Sequence, residues 1–241
     1  NGSQIVAVLD TGVDYTHPDL EDNIWVNEAE LNGVEGFDDD GNGYVDDIRG
    51  WDFINNDNAP LDDNMHGTHV AGIIGAVGNN DKGIAGAAWN VKIMPVKVFQ
   101  SNGSATSVNI ALGVDYARIA GATIQNYSFG GYAESFTAKT AYENAYANNA
   151  ALLVAASGND SKSIGPCLGC RPMYPAAYTY ILGIEDGEKG YDNFDQDGPL
   201  FSGYSDYLNY ELKAVGFGVM STVPDGGYRK LTGTSMAAPL V

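Results

Sequence analysis

The chain has 241 residues, 44% of them apolar, with 31 acidic side chains against 12 basic ones and a formal net charge of −19. That length suits one α/β domain with a substantial core, and the apolar share argues against a disordered chain. The acidic excess argues against nucleic acid or an anionic membrane surface as partner, and no apolar run approaches the ~20 residues of a membrane span.

The start, Asn1-Gly2-Ser3, has no signal-peptide pattern. Residues 4–9, Gln-Ile-Val-Ala-Val-Leu, read as a buried strand that ends at Asp10. Residues 33–63 are rich in Asp, Asn and Gly and read as a long loop. From His66 to Ala76 the residues are small and apolar, the pattern of a tightly packed helix. Val91 to Phe99 reads as a second strand. Apolar residues at helical spacing over 107–120 predict a helix with Gly121 as its stop. Strands over 122–127, 151–156 and 180–184 alternate with a helix over 135–148, and Leu231 to Thr234 leads into a helix near Ser235.

Strands alternating with helices predict an α/β fold of three layers, a largely parallel central sheet with helices on both faces, in one domain spanning 1–241. Function in such a sheet belongs beyond the carboxyl ends of its strands. Asp10 lies at one such end, and Ser128 and Asn159 follow two others.

A serine hydroxyl is a poor nucleophile until a base takes its proton; the base needs an orienting carboxylate and the oxyanion needs donors. Ser235 stands in Gly-Thr-Ser-Met-Ala-Ala-Pro (233–239), His66 in His-Gly-Thr-His-Val-Ala-Gly (66–72), and Asp10 in Asp-Thr-Gly-Val-Asp (10–14). These three motifs, in this order, resemble the signatures of the subtilase family of serine proteases. The resemblance implies a subtilisin-like fold and a triad of Asp10, His66 and Ser235. His17, His69 and Asp14 read as structural.

The resemblance extends between the motifs. Leu-Leu-Val-Ala-Ala-Ser-Gly-Asn-Asp (152–160) is similar to the segment bearing the family's oxyanion asparagine, which maps to Asn159. Ser128, Phe129 and Gly130 resemble the strand that pairs with substrate on the acyl side, and Phe99, Gly103 and Ser104 the strand opposite. A polypeptide substrate would lie between them as an extended strand. Ala156, Ser157 and Gly158 would wall the pocket for the residue before the scissile bond, P1. Met173, before Tyr174-Pro175, takes the place of a residue that is usually small in the family and would shorten that pocket.

Calcium is the cofactor expected. Asp38-x-Asp40-x-Asn42-Gly43-Tyr44-x-Asp46 has the first half of an EF-hand-type loop, with oxygens at positions one, three, five and nine, Gly at six and Tyr44 at seven. Arg49 stands where the closing acid is expected, so Asp47 or a remote carboxylate would have to complete the shell; a merely solvated turn is the alternative. A second site, resembling the thermitase-like branch of the family, would use Asp52, Asn55 and Asp57. A third would pair Asp19 with Val77, Asn79 and Asn80. Each would stabilise long loops by binding only the folded state.

Cys167 and Cys170 are the only cysteines. A short-loop disulfide is favoured over two reduced thiols, and it fits an oxidising compartment. The resemblance further implies secretion, an N-terminal propeptide in the precursor, a monomer, and a family domain extending beyond both ends of this chain. The rival reading is a non-catalytic, calcium-dependent binding module on the same scaffold.

Overall fold

The computed structural model describes residues 4–149, 152–159, 172–187 and 211–241. Cys167 and Cys170 lie outside them. In chain order the elements are β1 (Gln4–Asp10), α1 (Glu28–Leu31), β2 (Trp51–Asp52), α2 (His66–Gly75), β3 (Val91–Lys97), α3 (Ser107–Ile119), β4 (Ile124–Tyr127), α4 (Phe136–Asn149), β5 (Leu152–Ala156), β6 (Leu182–Asp186), β7 (Glu211–Ala214), β8 (Val219–Val223), β9 (Gly227–Leu231) and α5 (Thr234–Ala237).

Seven strands form one sheet in the order β2-β3-β1-β4-β5-β6-β7. Every pairing in it is parallel. Successive side chains of a strand face opposite sides, and β1 uses both. Ala7 and Leu9 join a core with Val114, Tyr116 and Tyr142 beneath α3 and α4. Val6 and Val8 join Val70, Ile73, Ile74 and Met236 beneath α2 and α5. A strand buried on both faces has no polar alternation, and this is why β1 reads as a continuous apolar run.

The antiparallel hairpin β8–β9 stands apart from the sheet and leads directly into Ser235. The helix at Ser235 is short. After Ala237 the chain tightens into a single 3₁₀ turn, Ala238–Leu240, in which Pro239 offers no backbone donor.

Candidate active site

Asp10 is the last residue of β1, and its register partner Lys97 ends β3. His66 is the first residue of α2. The carboxylate can only accept, so the His66 Nδ1–H donates to Asp10, 2.8 Å from Oδ1 and 3.0 Å from Oδ2. Thr11 braces the pair. Its N–H donates to Asp10 Oδ1 at 2.7 Å, and its Oγ accepts the Gly67 N–H at 3.0 Å. Gly67 is required here because a Cβ would stand 2.0 Å from the Gly12 carbonyl oxygen. Asp62 holds the same turn, accepting from Thr11 Oγ, the Met65 N–H, the Thr68 N–H and Thr68 Oγ.

Burial works against the imidazolium of His66, but the charge and hydrogen bond of Asp10, with Asp62 behind, outweigh it and hold the His66 pKa above its ordinary value. His69, one helical turn on, is the opposite case. Burial lowers its pKa, and Nε2 bonds the Arg229 carbonyl of β9 at 2.9 Å. His17 reaches the Gly227 carbonyl of the same strand at 3.1 Å. Both therefore anchor the hairpin, as their structural reading requires.

Ser235 lies in the first turn of α5 behind Gly233, whose φ is 151°. A Cβ on Gly233 would stand 3.2 Å from Asn159 Nδ2, so a side chain would crowd that amide. Asn159 Oδ1 accepts from the Thr234 N–H at 2.9 Å and from Thr234 Oγ at 3.0 Å. With the oxygen clamped, the NH₂ end is directed towards the Gly233–Ser235 turn. In this structure the Ser235 hydroxyl donates to the Ser128 carbonyl at 2.9 Å, while Ser128 Oγ donates to the Ser235 carbonyl at 2.8 Å.

A cleft of about 220 Å³ passes between His66 and Asn64 on one side and Phe99, Gly103, Ser128 and Phe129 on the other. It continues into a second cavity of about 340 Å³ that adds Ser104, Gly130, Tyr142 and Tyr178. The two segments predicted to flank substrate as strands both run on past the strand ends, β3 stopping at Lys97 and β4 at Tyr127, and residues 100–104 close a turn through the Gly103 N–H to Gln100 and the Gln100 N–H to Ser104; the segments still meet, with the Phe99 and Phe129 rings 4.8 Å apart. Ala156 ends β5, Ser157 follows it and both are buried, and the Gly158 N–H donates to Thr234 Oγ at 3.2 Å. Met173 lies between Gly130 and Gly158. Its Cγ and Cε stand 2.7 Å from where a Cβ on each glycine would be.

The acidic loop gathers differently from the EF-hand pattern. Among the described residues, the one group of three acids whose oxygens converge within 4.8 Å is Glu30, Asp40 and Asp47. The carboxylates of Asp38 and Asp46 instead accept backbone N–H groups, Asp38 from Asn42 and Gly43 and Asp46 from Gly36. Asn42 donates to Asp40 and Asp47, and Tyr44 packs its ring on Trp51 and Tyr116. Asp47 is buried, and burial raises its pKa to about 6 against the hydrogen bonds from Tyr116, Asn27 and Asn42.

Of the other two predicted sites, Asp52 binds the Ile54 and Asn55 N–H groups and the Asn55 amide, while Asp57 binds the Ala59 N–H. Asp19 binds the Asn80 amide and the Ile84 N–H, and its carbonyl accepts the Val77 N–H, so three of that site's four residues meet. Asn79 turns the loop beside them with φ 60°.

A parallel three-layer sheet with an Asp–His pair at its carboxyl edge, and with a serine behind a glycine turn held on the Ser128 carbonyl that lines the same cleft, defines the subtilisin-like class of α/β serine hydrolases. The profile of the subtilase family matches residues 2–241, and the chain belongs to that family. It is 38% identical to subtilisin-like protease 1 of Plasmodium falciparum over 98% of this chain and 36% of that protein. It is 34% identical to thermitase of Thermoactinomyces vulgaris over 98% of this chain and 71% of that protein. Among solved structures, a cold adapted subtilisin-like serine proteinase superposes with a TM-score of 0.72 at 27% identity, covering 99% of this chain and 72% of that one. The chain thus spans little more than a third of the length of its Plasmodium relative.

Proposed function

We propose that this chain is the catalytic domain of a secreted, calcium-stabilised serine endopeptidase. The observation that carries the reading is the Asp10–His66 hydrogen bond at a cleft lined by Ser128, whose carbonyl accepts the hydroxyl of Ser235, the serine behind a glycine turn that the Asn159 side-chain oxygen clamps. His66 takes the proton of Ser235 Oγ as the oxygen attacks the peptide carbonyl. Asp10 fixes the tautomer and stabilises the imidazolium. The oxyanion is held by the Ser235 N–H and the Asn159 amide. His66 then returns the proton to the leaving amine, and water attacks the acyl-enzyme by the reverse route.

A polypeptide substrate lies extended between residues 99–104 and 128–130, with P1 against Ala156, Ser157, Gly158 and Met173. Before substrate arrives, the Ser235 hydroxyl rests on the Ser128 carbonyl. An amide N–H pairing with that carbonyl would release it to His66.

Calcium would be held by Glu30, Asp40 and Asp47. Two of these acids are buried, and burial together with the neighbouring Asp40 charge raises the pKa of Asp47, a setting in which a cation would favour the ionised form. The hard oxygen donor set suits that ion. Its role is to crosslink the 33–63 loop to α1.

The test is labelling of Ser235 by an active-site serine reagent together with hydrolysis of a peptide substrate, Ser235→Ala serving as control. A folded protein that is neither labelled nor active overturns the reading in favour of a non-catalytic binding module.

A further inference from the structure

Among the described residues Lys97 is the only lysine or arginine that is buried, with a side chain 1% exposed. A buried ammonium is costly unless every proton finds an acceptor. Here all three do. Nζ donates to the Thr11 carbonyl at 2.5 Å, to Asp63 Oδ1 at 2.6 Å and to the Phe99 carbonyl at 3.1 Å. A strand end that only filled the core would be served by leucine or methionine. This one spends a charge to reach three separate segments.

Each segment bears part of the site. Thr11 follows Asp10 and bonds both its carboxylate and the N–H after His66. Asp63 stands three residues before His66, on the loop that delivers it. Phe99 opens the turn after β3 that lines the cleft.

We infer that Lys97 is a positioning residue of the catalytic site: its ammonium ties the Asp10 turn, the loop before His66 and the segment from Phe99 that lines the cleft into one register and neutralises Asp63 on that loop. It touches no reacting atom and acts through the groups it holds. The charged and titratable groups that act on His66 are Asp10 from β1, Asp62 from the preceding loop and His69 from α2; Arg229 of β9 reaches the neighbouring Met65, and the Lys97–Asp63 pair is joined to His66 through the Thr11 turn and the loop before it. Removing the cation leaves Asp63 uncompensated and favours the imidazolium.

The test rests on the protease reading only for its kinetic arm. The His66 titration is followed by NMR in wild type, Lys97→Met, Asp63→Asn and the double variant; the protein has three histidines, so the resonances are separable. K97M is expected to raise the His66 pKa and D63N to lower it, with the double variant returning to the wild-type value. On a peptide substrate, K97M and the double variant are both expected to lose about tenfold in kcat, because restoring charge balance does not restore the tie. An unmoved His66 titration in K97M, or wild-type kcat with only a lowered Tm, overturns the proposal. If K97M does not fold, D63N decides: its His66 must shift downward, and no shift overturns the proposal. A wild-type protein without hydrolytic activity defeats the protease reading and leaves the titration arm to judge Lys97 alone.

Discussion

Ser128 and Ser235 are bonded to each other twice: the hydroxyl of each donates to the carbonyl of the other, at 2.8 and 2.9 Å. Asn126 fixes the direction of one of these bonds. Its Nδ2 donates to Ser128 Oγ at 2.9 Å, so the proton of that hydroxyl goes to Ser235. The main chain of Ser235 is thereby held from behind, which steadies both its hydroxyl and its N–H.

Ser128→Ala removes one side-chain bond to Ser235 and leaves the buried Asn126 amide without its acceptor. A net loss of about 1 kcal/mol, roughly fivefold in rate, is expected in kcat, with KM little changed because the Ser128 carbonyl remains. Initial rates over a range of peptide concentration measure the split. A rise in KM at constant kcat would show instead that the hydroxyl serves substrate binding.

Asn159→Ala takes away the proposed side-chain donor to the oxyanion while sparing the triad. Loss of such a donor costs about 10²–10³ in kcat, a size taken from subtilisin itself. The expected signature is a fall in kcat with near-constant KM and undiminished labelling of Ser235 by a small sulfonyl reagent. Asn159→Ala activity within a few-fold of wild type would remove Asn159 from the oxyanion site.

Asp10→Asn separates charge from shape at the triad. The neutral amide no longer supports the imidazolium, so the His66 pKa should fall and the acid limb of kcat/KM should move to lower pH. Its amide can also hold the wrong tautomer, and losses of about 10⁴ in kcat are the general experience with triads. The stability sign follows from the direction of the shift. The folded pKa of His66 lies above its unfolded value, so this interaction stabilises the fold fully below about pH 6.5 and fades as pH rises through the folded pKa. The stability deficit of D10N should therefore be larger at pH 5.5 than at pH 8.5, measured by urea denaturation at both.

Much of this site is readable in the sequence because its parts sit in contiguous motifs. Asp10, His66 and Ser235 each carry glycine and small neighbours that the packing demands, and Gly67 and Gly233 show why. What was not readable depends on distance. Glu30 lies ten residues before Asp40 in an unremarkable short helix, and only the folded loop brings them together. Lys97 looks like an ordinary polar end to an apolar strand, since nothing local shows that its amine will meet three segments. The hairpin β8–β9 is equally hidden in the sequence. Gly227–Leu231 is largely exposed, so it has none of the apolar alternation that marks a half-buried strand.

Asp47 links the loop to stability. Its carboxyl is pushed from the ordinary 3.8 up to about 6, first by burial. A raised carboxyl pKa means the fold prefers the protonated form. The penalty is absent below about pH 4, grows between pH 4 and 6 and persists above. Calcium at Glu30, Asp40 and Asp47 would reverse that preference. At about a hundredfold excess over Kd the ion adds about 2.7 kcal/mol, or roughly 5–10 °C in Tm for a chain of this length. Scanning calorimetry at pH 7 with calcium and with chelator is expected to show that rise in wild type and most of it lost in Asp47→Asn. An equal rise in D47N would place the ion elsewhere, with the loop around Asp19 the next site to examine.

Met173 bears on which peptides are cut. Its side chain fills the space between Gly130 and Gly158, the two glycines on either side of the expected P1 pocket. A P1 side chain leaving a carbonyl held at Ser235 must enter that space, so the thioether should restrict P1 to small residues. Replacing it by glycine opens room for several methylene groups, and each methylene accommodated in an apolar pocket is worth about 1–3 kcal/mol in discrimination. Met173→Gly is therefore expected to raise kcat/KM for a P1 phenylalanine substrate at least tenfold relative to P1 alanine. The cost is a cavity beside β5, so a lower Tm should accompany the change. Competition between the two peptides in one reaction reads the ratio directly, independent of the active fraction. An unchanged ratio would mean that P1 is accommodated away from Met173 and that its position between the glycines serves packing alone.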